Sequence, residues 1–64
     1  MYWLYWHAWG YGTFDERDLV EYNDNQLDNL KTRIKRLRQE YTDVSLNIEV
    51  FKGEEIDVDE LLQK

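Results

Sequence analysis

NDNQLDNLKTRIKRLRQEY, residues 23–41, carries the pattern that decides the fold: Leu27, Leu30, Ile34, Leu37 and Tyr41 recur at steps of three and four. In a helix that spacing sets all five on one apolar stripe. The helix start is written twice over. Asn23 as N-cap can accept from an early backbone N–H, Gln26 at N3 can reach back as in a capping box, and Tyr22 can staple onto Leu27. Asp24 and Asp28 fall in the first turns, while Lys31, Arg33, Lys35, Arg36 and Arg38 crowd the second half, the order the helix dipole favours.

Downstream, Thr42-Asp43 connects to the clearest strand, Val44 to Lys52. Val44, Leu46, Ile48 and Val50 alternate with Ser45, Asn47, Glu49 and Phe51, giving one apolar face and one mostly polar face. The apolar face is expected to meet the Leu27/Leu30/Ile34/Leu37 stripe. Gly53 breaks the strand. Asp57-Val58-Asp59-Glu60 is a second capping box, with Ile56 placed to staple onto Leu61. The short helix it starts persists only if Leu61 or Leu62 docks on something.

Upstream, Met1 to Phe14 reads as a strand leading into a turn, rich in aromatic residues and ending where Gly10 and Gly12 flank Tyr11. Its odd positions Trp3, Tyr5, His7 and Trp9 share one face, and its even positions Tyr2, Leu4, Trp6 and Ala8 the other. Between this strand and the helix, Arg17 to Tyr22 fits either a short returning strand or a turn of helix begun at Asp15. The strand is preferred, because Tyr22-Asn23 already forms the entry to the helix. The expected fold class is α+β over a single domain, residues 1–64: one sheet in the order β-β-α-β, the amphipathic helix on one face, and a short C-terminal helix.

This architecture leaves a face uncovered. If one side of the first strand packs on the helix, the other, most simply Trp3, Tyr5 and Trp9, stays open. Aromatic side chains bury roughly 150–250 Å² each. Three together reach or exceed the roughly 300–600 Å² apolar patch of an ordinary monomer. A second copy, another protein or a planar ligand is expected to cover it.

Composition narrows the choice. With 64 residues the chain can bury only a small core. It has no cysteine and one histidine, which removes disulfides and thiolate metal sites and argues against zinc. Absent cysteine is compatible with a reducing cytosol, and a cytoplasmic location is the expectation. The first nine residues, apolar except for His7, lack the features of a signal peptide and are too few to span a bilayer. The formal charge of −6 divides into −5 over residues 1–30, +5 over 31–38 and −6 over 39–64. An acidic body with one basic band is a poor general binder of nucleic acid.

No catalytic constellation is written in the chain. His7 has no second histidine, and the one serine, Ser45, lies on another strand's polar side, so His7 reads as structural or interfacial. The paired carboxylates lack the apolar setting that would part their pKa values. Neither Glu54-Glu55-Ile56-Asp57-Val58-Asp59-Glu60 nor Asn23 to Asp28 has the ligand spacing and central glycine of a calcium loop. Lys31, Lys35 and Arg38 form a basic row beside the apolar stripe, on the side away from the open sheet face. An RNA reader of the RRM kind would combine bases and aromatics on the sheet face instead.

Two functions from different classes remain. In one, a non-enzymatic inhibitor occupies the nucleic-acid site of a host protein, with Glu54, Glu55, Asp57, Asp59 and Glu60 standing in for phosphates and Trp3, Tyr5 and Trp9 as the anchor. In the other, those aromatics form a homodimer interface of a structural module. By size, acidity and lack of catalytic residues the chain resembles, as a class, the small inhibitors of phages and mobile elements, among them anti-CRISPR and DNA-mimicking proteins, and also acidic antitoxins. That resemblance implies a protein partner that handles nucleic acid; from the residues themselves, no cofactor and no membrane are expected.

Overall fold

The alternating stretch that ends at Lys52 forms the strand its pattern calls for, and the helix before it lies across the sheet. A computed structural model, describing residues 1–63, gives the order β1 (Tyr2–Gly10), β2 (Phe14–Tyr22), α1 (Leu27–Glu40), β3 (Ser45–Lys52), β4 (Glu54–Ile56) and α2 (Val58–Leu62). A 3-10 turn over Asp24–Gln26 leads into α1. The four strands make one antiparallel sheet, ordered β2-β1-β3-β4. The protein is therefore a small α+β fold with a short C-terminal helix. No described helix is long and apolar enough to cross a membrane.

The core lies between the sheet and the two helices. Leu4, Trp6 and Ala8 of β1, Val50 of β3, Leu30, Ile34 and Leu37 of α1, and Leu61 of α2 form one buried cluster. Leu27, Tyr41, Val44, Leu46 and Ile48 pack around it, so the helical stripe meets the apolar face of β3 as its spacing requires. Trp6 is 5% exposed, and its indole N–H is buried without a hydrogen-bond partner. Its ring lies 5.4 Å from that of Tyr41, which in turn lies 6.1 Å from Phe14. The Tyr41 hydroxyl donates to Glu16, and chiefly for that reason its pKa rises above the ordinary value of 10.0.

The ends of the elements follow local chemistry. Gln26 Oε1 accepts from the Asn23 N–H at 2.9 Å, the returning half of the expected capping box. Asp57 Oδ1 accepts from the N–H groups of Asp59 and Glu60 at 2.9 and 3.2 Å, starting α2, and Leu61 docks into the core. The amino group of Met1 pairs with Asp24, and Lys52 Nζ lies 3.6 Å from the same carboxylate and 4.8 Å from the centre of the Tyr2 ring.

Two elements differ from the sequence expectation. β2 is not a short arm from Arg17 but a nine-residue strand from Phe14, paired without a break from Gly10–Phe14 to Tyr2–Tyr22. The connection is shorter than expected because it is very tight: Tyr11 has φ 44°, Gly12 has φ 70°, and Thr13 N–H donates to the Tyr11 carbonyl at 2.8 Å. Gly53, at φ 77°, does end β3, but as a reversal that lets Glu54–Ile56 return as an edge strand.

The buried stripe should dominate stability. Leu37→Ala is expected to cost about 2–5 kcal/mol through lost contact and the cavity left behind, whereas Lys35→Ala, on the exposed side of the same helix, should stay within about 0.5 kcal/mol. Urea unfolding of the two variants compares them directly, and similar losses would mean that the core lies elsewhere.

Candidate functional site

Residues opposed across an antiparallel ladder share a face, so the pairing fixes what surrounds the odd-numbered side chains of β1. Trp3 lies between Glu21 of β2 and Phe51 of β3, with Glu55 of β4 beyond Phe51. Tyr5 lies between Leu19 and Glu49, His7 between Arg17 and Asn47, and Trp9 between Asp15 and Ser45. Neither helix covers this side. Trp3, Trp9 and Leu19 keep 38%, 41% and 57% of their surface exposed. The face is roughly 20 Å long, from the rise of a strand, and its aromatic column is edged by the carboxylates of Asp15, Glu21, Glu49 and Glu55, with Arg17 the one cation placed there among the described residues.

At one end of the column the side chains engage each other. The His7 ring lies over Trp9 with centroids 4.8 Å apart, and His7 Nε2 lies 2.9 Å from Asp15 Oδ1 and 3.2 Å from Arg17 Nη2. Arg17 donates to both oxygens of Asp15 at 3.2 Å. This guanidinium is the main reason the Asp15 carboxyl sits below its ordinary value of 3.8; partial burial opposes the effect and His7 adds to it. Beyond Trp9, the Tyr11–Thr13 loop and Asp15 border an open hollow of about 600 Å³.

The structure brings Trp3, Tyr5 and Trp9 together with Glu55, but it divides the five acidic residues singled out in the sequence. Glu55 shares the open face with Phe51. Glu54, opposite Lys52, lies on the helix side. Asp57 is committed to capping α2, and Asp59 pairs with Arg38 Nη2 at 3.1 Å. Glu60 is exposed in the first turn of α2. They do not make one row. Leu19, Glu21, Glu49 and Phe51 complete the face and were not singled out from sequence. The signal for Phe51 was present, as the one large apolar residue on the polar side of β3.

Among the described residues no group of His, Asp and Glu is placed to hold a metal ion. Comparison with protein-family models, curated proteins and solved structures gives no match. The arrangement offers contact chemistry: a desolvatable aromatic centre with a negative edge.

The Asp15–Arg17 pair makes a prediction with a fixed sign. A carboxyl whose folded value is lowered stabilises the fold fully above its unfolded value, and that contribution is lost as pH falls through the folded value. Arg17→Ala should therefore raise the Asp15 midpoint toward 3.8, read by carboxyl-carbon NMR titration. An unmoved midpoint would exclude Arg17 as the cause.

Proposed function

We propose that the protein is a non-enzymatic interaction protein of the inhibitor type, whose open sheet face docks on the cationic, nucleic-acid-binding site of a partner protein. One observation carries this reading: Trp3, Tyr5, Phe51 and Trp9 run through a face edged by Asp15, Glu21, Glu49 and Glu55. Tight interfaces concentrate affinity in a few central aromatic anchors with polar groups around them. A negative edge guides such a face toward a basic surface, as phosphates do, and sets the rate of encounter. The same edge would be juxtaposed with itself if two copies met face to face, so a cationic partner is favoured here over self-association. A cytoplasmic setting, where enzymes of nucleic acid are met, goes with this reading.

The test is capture by tagged protein from a nuclease-treated lysate, followed by competition with added DNA and rate measurements on the purified partner. A nucleic-acid-handling protein displaced by DNA is the expected result. Trp3→Ala should then cost about 2 kcal/mol or more, mainly as faster dissociation, and reversing Glu21, Glu49 and Glu55 to Lys should slow association and flatten its salt dependence. A captured partner that binds all these variants like the parent protein would sink the assignment of this face.

A further inference from the structure

The sheet has a second uncommitted surface, its β2 edge. β4, the other edge, has three residues, whereas β2 has nine, with no proline and no break in its register. Such an edge presents a row of unpaired backbone groups to another strand. The Leu19 amide shows which groups these are: it donates to the side chain of its neighbour Asp18 at 2.8 Å, not to β1. Since ladder bonds alternate along a strand, Arg17, Leu19 and Glu21 all turn their N–H and C=O outward.

We propose that two copies of this chain pair antiparallel through β2, with Leu19 on the two-fold axis. The order of charges selects this register. About Leu19, Arg17 of each copy stands opposite Glu21 of the other, Glu16 opposite Tyr22, and Asp18 opposite Val20, with no like charges opposed within the strand. About Asp18, that residue would oppose itself and Asp15 would oppose Glu21. About Arg17, two guanidiniums would meet and Glu16 would oppose Asp18. About Val20, no opposite charges meet.

Both faces of the join agree. On the open side, Leu19 meets Leu19 between two Arg17–Glu21 pairs. On the helix side, Glu16 meets Tyr22 of the second copy, which with Arg33 and Arg36 lines a hollow of about 250 Å³. Charges on an edge strand ordinarily discourage pairing; in this order they discriminate among registers. The Arg17, Leu19 and Glu21 backbones exchange hydrogen bonds as reciprocal pairs, and the Leu19 amide trades Asp18 for the Leu19 carbonyl of the second copy. The product is one continuous eight-stranded sheet, two copies of four, with both aromatic columns on the same side. This inference does not depend on the function proposed above.

Light scattering on a size-exclusion column, over a concentration series of the intact chain, tests it. The mass should rise from monomer toward dimer. Leu19→Pro removes the outward-facing N–H with its bond to Asp18, and the leucine side chain, but no bond to β1, and should stay monomeric while keeping the parent circular dichroism. Arg17→Glu and Glu21→Arg should each weaken the dimer at least several-fold, and the double variant should recover it, which keeps the test decisive if Leu19→Pro does not fold. Trp3→Ala with Trp9→Ala should leave the dimer unchanged. A parent chain monomeric throughout, a double variant that fails to recover, or a dimer lost with Trp3 and Trp9 would each overturn the proposal.

Discussion

Side chains alternate between the two faces of a strand, so α1, lying across one side of the sheet, covers only the even-numbered residues of β1. Leu4, Trp6 and Ala8 thereby become core, and Trp3, Tyr5, His7 and Trp9 become surface, although the two sets are about equally apolar. β1 is also the strand on which the sheet is assembled, pairing with β2 on one edge and β3 on the other. Its even face anchors the fold while its odd face collects the groups that the neighbouring strands place beside it. Among the described residues no second helical layer buries that odd face, and the aromatic column is a structural remainder as well as a candidate interface.

The acidic residues divide by occupation. Asp57 holds the start of α2, Asp24 is shared between the Met1 amino group and Lys52, and Asp59 meets Arg38. Such exposed pairs contribute little to stability individually. The carboxylates of Glu21, Glu49 and Glu55, together with Asp15 in its pair with Arg17, edge the open face, brought there by the register of three strands, β2, β3 and β4. A negative field over that surface therefore exists only in the folded sheet.

Sequence periodicity revealed the elements with strong patterns. The stripe from Leu27 to Leu37, the alternation in β3 and the Asp57 cap are each local, and each appears in the structure where its spacing places it. β2 was harder to read because Asp15, Glu16, Arg17 and Asp18 carry the composition of a loop; their pairing with β1 and position at the sheet's edge, where charge remains solvated, make them a strand. β4 was hidden for another reason: three residues carry no measurable period. The aromatic part of the candidate face was legible in the alternation of β1. Its acidic edge was not, since neighbours across a sheet are set by pairing order, which no local window contains.

The three tryptophans occupy two kinds of surroundings. Trp6 is enclosed against Tyr41, while Trp3 and Trp9 stand on the uncovered side of the sheet. Light absorbed by these indoles is consequently returned from two environments at once, one enclosed in the core beside Tyr41 and one facing the surroundings of the open sheet. The molecule thus carries, with no added label, optical reporters placed both in its core and on its open face.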